Sequence, residues 1–224
     1  MAKQTTHTAA NINNTYHLLE SFLAREEFQA FLQINKHLQS QFCQYRYISL
    51  NRKHSLLYYE SVSFRERILS LIIDPRRQLS LNLSRCSNIT DVNVVGCVHT
   101  LNLSHCQNIT DVSVLAGVHT LNLTGCKGFA DVSSLGGVHT LTLSCCDNIK
   151  DVSALGGVHT LDLFSCDKIT NVTALGGVHT LDLSYCDSIT DVSALGDVHT
   201  LNLAYCSGIT DVSALSGVFN LTFV

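Results

Sequence analysis

The sequence predicts an α/β solenoid, a stack of short parallel β-strands joined by tight turns, behind a small α-helical N-terminal region. Three observations lead there. From Leu79 onward the 224-residue chain repeats itself every twenty residues. Within each repeat the apolar letters first alternate and then widen their spacing, the mark of a strand followed by a turn. Before that point nothing repeats, and charged and aromatic residues are denser.

Taken in order, residues 1–13 read as a disordered tail, residues 14–77 as a helical region and residues 78–224 as the solenoid. In "YHLLESFLAREEFQAFLQINKHLQSQF", Leu19, Phe22, Leu23, Phe28, Phe31, Leu32, Ile34 and Leu38 fall near helical spacing, which predicts two short helices broken near residues 24–26. The stretch "YYESVSFRERILSLII" predicts one further helix that stops before Asp74 and Pro75, because the residue before a proline disfavours the α region.

The solenoid holds seven units of twenty residues and part of an eighth, each close to V-H-T-L-x-L-x-x-C-x-x-I-T-D-V-S-A-L-G-G. In the unit that starts at Val98, Leu101 and Leu103 alternate with Thr100 and Asn102, which is a half-buried strand. Ile109, Val112 and Leu115 then suit a short helical or 3₁₀ turn on the returning side. The paired glycines are expected to permit the reversal into the next strand. Stacking puts equal positions into columns ~4.8 Å apart, so seven coils span roughly 30–35 Å.

The pattern, with Val98, Leu101, Leu103 and Cys106 at its defining positions, resembles the leucine-rich repeat, L-x-x-L-x-L-x-x-N/C. The likeness covers residues 79–224. The cysteine is similar to that of the cysteine-containing class, and "ITDVSAL" is similar to the second half of internalin-type repeats. The resemblance implies a right-handed solenoid with its parallel sheet on the concave face, short turns on the convex face, and a non-enzymatic protein-binding role.

Upstream, "SFLAREEF", with Phe22, Leu23, Glu27 and Phe28, and "QINKHL", with Ile34, Asn35 and Lys36, resemble an F-box. That resemblance implies contact with a Skp-type linker subunit through Phe22, Leu23, Phe28 and Ile34, and a role as substrate adaptor of a cullin ubiquitin ligase. The segment departs from the motif at Asn11-Ile12, Glu20 and Leu38. Read without the resemblance, the same helices are a cap over the apolar end of the first repeat, and the protein is a free-standing binding scaffold or decoy. Such arrays behind such a region also resemble gene families expanded in protists and large DNA viruses.

Three columns read as scaffold. The cysteines at 86, 106, 126, 146, 166, 186 and 206 are expected to be buried and to face loop backbone, since a straight column offers neither a metal tetrahedron nor disulfide geometry. The histidines at 99, 119, 139, 159, 179 and 199 are expected to hydrogen-bond at the sheet edge, and to lose stability on acidification because neighbouring cations would lie about 5 Å apart. The aspartates at 91, 111, 131, 151, 191 and 211, with Asn171 in the remaining unit, are expected to cap the turn that follows. No column joins a nucleophile to a base, so no catalytic, cofactor or metal-binding residue is expected.

Function is therefore sought where copies differ: the fifth, seventh and eighth positions and the one after the cysteine. The candidates for partner binding on the concave face and its edge are Arg85, His105, Lys127, Asp147, Asp162, Phe164, Asp167, Asp182, Tyr185, Asp187 and Tyr205. Aromatics among carboxylates point to a basic or amphipathic segment of a protein partner.

Composition narrows the field. The balance of 14 Lys plus Arg against 18 Asp plus Glu argues against nucleic-acid binding driven by net charge. No apolar run reaches membrane-spanning or signal-peptide length, which gives the expectation of a soluble, cytoplasmic chain, with the nucleus left open, and in the host-cell cytoplasm if viral. At the far end, "GVFNLTFV" leaves an apolar edge for which Phe219 and Phe223 folding over it, self-association through it and a shortened reading frame all stay open.

Overall fold

The computed structural model describes residues 48–70 and 79–223, all within one compact unit, Arg46–Val224. The tail, the first two helices and the F-box-like positions Phe22, Leu23, Phe28 and Ile34 lie outside the described residues.

Among the described residues nine parallel strands form one open sheet in sequence order. β1 (Ile48–Leu50) precedes the repeats, and β2 (Leu79–Asn82) opens them. β3 (Thr100–Asn102), β4 (Thr120–Asn122), β5 (Thr140–Thr142), β6 (Thr160–Asp162), β7 (Thr180–Asp182), β8 (Thr200–Asn202) and β9 (Asn220–Thr222) follow, one per coil. Between them run 3₁₀ turns such as Ser153–Gly157, too short for an α-helix, as a twenty-residue coil requires. The register is in phase throughout: Leu101 pairs with Leu121, and Leu161 with Leu181. A slip by one residue would turn every leucine to solvent, so the pattern fixes the pairing.

Each coil contributes the same buried set, except that Val212 in the last full coil is only half-buried. In the third strand's coil these are Leu101, Leu103, Cys106, Ile109, Val112 and Leu115, all at most 2% exposed. Phe129 takes the isoleucine place once and remains buried. Around this core the coils are joined beyond the three-residue strands, with Leu103 N–H donating to Asn122 O at 2.8 Å and His119 N–H to His99 O at 3.0 Å.

Two expectations are corrected. The helix expected over residues 58–73 is two helices, α1 (Arg52–Glu60) and α2 (Val62–Ser70), because Ser61 ends one and starts the other. Its backbone is extended, its N–H donates to Leu57 O at 2.9 Å, and its Oγ accepts from Phe64 N–H at 3.3 Å. The glycine pairs, in turn, do not serve reversal through unusual backbone angles; the only glycine with positive φ is Gly125, among the described residues. The first glycine of a pair is needed for closeness, since a Cβ on Gly136, Gly156 or Gly176 would collide with the carbonyl oxygen of Ala154, Ala174 or Ala194 in the next coil.

The strand β1 has no counterpart in the sequence reading, being only three residues long. With α1 it covers the first coil. Ser55 Oγ donates to Leu50 O at 3.1 Å and accepts from Asn82 N–H at 2.9 Å, which ties both strands to α1. Tyr59 Oη donates to Asp91 O at 2.9 Å, and Asn88 Nδ2 donates to Glu60 Oε1 at 3.2 Å.

Candidate functional site

The columns sort by what their side chains already do. From Cys106 to Cys206 the thiols donate to the carbonyl of the preceding coil, Cys106 to Leu83 O at 3.1 Å and Cys166 to Leu143 O at 3.2 Å, while Cys86 donates to Ser84 O in its own coil at 3.6 Å. Burial pushes Cys126 up to about 11 and Cys146, Cys166 and Cys186 up to about 12, so these thiols stay protonated. Aspartates accept the N–H two residues on, Asp151 from Ser153 at 2.9 Å, and Asn171 does the same for Thr173 at 3.0 Å. Those bonds from serine hold Asp111, Asp131, Asp151, Asp191 and Asp211 below the usual carboxylate range.

The histidine column makes the expected edge hydrogen bonds and also something the sequence does not display. Each Nδ1 lies 3.1–3.3 Å from the hydroxyl of the following threonine. In addition the six rings stack face to face, with centroids 4.5–4.7 Å apart and planes within 16°. Phe219 extends the stack at 5.1 Å from His199 and does not fold over the end of the array; it is 76% exposed. Loss of hydration, with adjacent imidazoles second, holds the exposed His119, His139 and His179 below the usual value. No cluster of three or more potential metal ligands occurs among the described residues.

Of the variable columns, the fifth position is less free than its variation suggests. Asp162 Oδ1 accepts from Phe164 N–H at 2.9 Å, and Asp182 Oδ1 from Ser184 N–H at 2.8 Å, while Asn102, Asn122 and Asn202 do likewise in their coils. Asn and Asp alternate there because both supply that acceptor. The column after the cysteine is partly engaged: Lys127 Nζ pairs with Asp147 at 2.7 Å, and Asp187 accepts from Ser207 N–H and Oγ at 3.0 and 2.7 Å. The pairing raises Lys127, and the serine bonds lower Asp187. Asp167 is exposed.

The eighth position carries a constraint missed from sequence. Arg85, His105, Cys145, Ser165, Tyr185 and Tyr205 all have φ between 54 and 61°, the left-handed region, with Gly125 at 68° in the same column. That single glycine was the available signal. Of these residues Arg85, His105, Tyr185 and Tyr205 are exposed, the two tyrosines at 44% and 59%, while Cys145 and Ser165 are half-buried. Phe164 meets Tyr185 at 5.2 Å, and Tyr185 stacks on Tyr205 at 4.7 Å. The structure thus brings Phe164, Tyr185 and Tyr205 together, with Asp162, Asp167, Asp182 and Asp187 in the same coils. Arg85 and His105 belong to earlier coils, at the opposite end of the edge.

With the geometry in place, the fold is that of a leucine-rich-repeat solenoid: one parallel strand and one 3₁₀ turn per coil around a leucine core. The family model described as Leucine Rich repeat matches residues 97–116 and 178–195. Among solved structures the chain is similar to an internalin, InlF, from Listeria monocytogenes, at 24% identity and TM-score 0.49, over 60% of this chain and 44% of that one. It is similar to internalin C2 of the same organism, at 22% identity and TM-score 0.41, over 65% of this chain and 80% of that one. A third likeness is to the functional domain of InlJ, also from Listeria monocytogenes, which includes a cysteine ladder (18% identity, TM-score 0.42, 65% and 38% covered). The chain therefore spans less than half the length of InlF. No curated protein matches it.

Proposed function

We propose that the chain is a non-enzymatic protein-binding scaffold whose partner lies along the eighth-position edge and the adjoining sheet face. One observation carries this reading. The repeated letters are consumed by core, turn and coil-to-coil bonds, whereas the eighth position differs in every coil but two, sits in a strained left-handed turn, and is exposed at Arg85, His105, Tyr185 and Tyr205. Solenoids recognise partners through such surfaces, where an invariant frame presents a row of independent side chains. The exposed Tyr185 and Tyr205 supply the kind of rigid aromatic area that anchors protein contacts.

Photo-crosslinking tests it. A crosslinkable residue at Tyr205 or Ser165 captures the partner, and the same residue at Thr170 or Thr190, exposed on the returning leg, does not. Capture from the returning leg alone removes the reading.

The finer reading, a ubiquitin-ligase adaptor, rests on the "SFLAREEF" and "QINKHL" likeness alone; the family match lies wholly in the repeats. It requires co-purification with a Skp-type linker that is lost when Phe22, Leu23 and Ile34 become charged. Absence of association leaves the scaffold without a ligase connection.

A further inference from the structure

We propose that the junction of α1 with the first coil binds a phosphoryl group carried on a peptide. The proposal rests on the scaffold reading above and assigns one end of the same edge.

A cavity of about 600 Å³ opens there, and Arg52, Lys53 and Arg85 all line it. No carboxylate is among its lining residues; the nearest one described, Glu60, is held by the side chain of the lining residue Asn88 at 3.2 Å, so the three cations outnumber it. The one ion pair among the described residues, Lys127 with Asp147, belongs to later coils, so none of the three cations has a counter-ion among them. In a chain of formal net charge −4 this local excess of positive charge stands against the background.

The cluster is held by backbone as well as by exposure. Arg52 Nη2 donates to Arg85 O at 3.3 Å, so the guanidinium of α1 is anchored on the residue that carries the next cation. Arg85 itself sits in the left-handed turn, φ 58°, and is exposed. Bringing like charges together is unfavourable unless an anion joins them. Guanidinium forks fit tetrahedral oxyanions through paired N–H donors, and a lysine adds a point charge. Three positive charges suit a phosphate dianion better than a single carboxylate.

The carrier follows from continuity. Arg85 and Ser87 occupy the eighth position and the one after the cysteine, the columns assigned to the partner, so a chain lying along the edge reaches the cavity without leaving that surface.

The test uses the full chain and a fluorescein-labelled nine-residue degenerate peptide pool with a fixed central phosphoserine, read by anisotropy. The phosphorylated pool binds at least tenfold more tightly than its unphosphorylated twin, and Arg52→Gln with Arg85→Gly removes that preference. Glycine accepts φ 58° without strain, so the variant keeps its fold, checked by a melting temperature no lower than the parent's, and Lys168→Gln binds as the parent does. Equal binding of the two pools, or a preference that survives in the double variant, overturns the site. Pyrophosphate binding as tightly as the pool overturns the peptide carrier and makes the ligand a soluble phosphate. Loss of this site leaves crosslinking at Tyr205 intact, whereas failure of the scaffold reading abolishes that crosslinking.

Discussion

The cysteine and histidine columns each place one polar side chain per coil, twenty residues apart, yet they meet opposite surroundings. The thiols from Cys106 to Cys206 face the backbone of the preceding coil, at most 5% exposed, and their hydrogen bonds replace water. The imidazoles from His119 to His199 face solvent and meet chiefly one another. Periodicity states that a position matters equally in every coil. What the position costs or contributes depends on whether its neighbour is backbone or water.

The sharpest way to break the contrast is to remove one member of each column. Cys166→Ala leaves the Leu143 carbonyl without its thiol donor and opens a small void, for an expected loss of about 2 kcal/mol in a denaturant titration. His139→Ala, on the exposed column, is expected to cost under about 0.5 kcal/mol. Equal losses would mean that ring stacking holds the coils together as firmly as the thiols.

The glycine pair gives the same contrast within two adjacent letters. Gly136→Ala forces a Cβ against the Ala154 carbonyl and is expected to destabilise by about 1–3 kcal/mol. At Gly137 the nearest atom to an added Cβ would be Ala116 O, at 3.8 Å, so Gly137→Ala fits and stabilises by about 0.5 kcal/mol through the unfolded chain. Thermal unfolding of the two variants decides it.

Smaller effects sharpen the comparison. Ser165→Gly relieves a left-handed residue, φ 54°, and is expected to gain about 0.5–1 kcal/mol, against the usual penalty for glycine. His119, His139 and His179 hold their protons less tightly folded than unfolded. Their contribution is complete above the unfolded value near 6.5 and is lost as pH falls through it, so the melting temperature drops between pH 7.5 and 5.5. A flat profile removes that role for the column. Finally, brief alkylation of the native chain at pH 8 labels exposed Cys97 and spares Cys146, Cys166 and Cys186, which react only on unfolding; mass spectrometry of the peptides reads this directly.

The fold was almost wholly legible. Leucine alternation, the change of spacing after the cysteine and the twenty-residue period each carry one structural consequence, and together they leave a single stacked arrangement. The helical region was less so. A helical period cannot distinguish one helix from two separated by a serine whose side chain and backbone cap both, and a three-residue strand such as β1 leaves no pattern. At the candidate site, sequence located the variable letters but ranked their freedom wrongly. Asp162 and Asp182 vary among acceptors that serve the turn, while the eighth position varies in spite of a backbone that favours glycine.

The sequence by itself therefore determined the coil, its period, its core and the identity of its caps, because these follow from local alternation and from copies that must pack on one another. Only the tertiary structure decided which columns touch the next coil's backbone, which rings stack, that Arg52 of α1 and Arg85 of the first coil share one cavity, and that Tyr185 and Tyr205 meet. Those are relations between residues about twenty or more positions apart. They arise when the rise of one strand to the next sets distances that no single repeat contains.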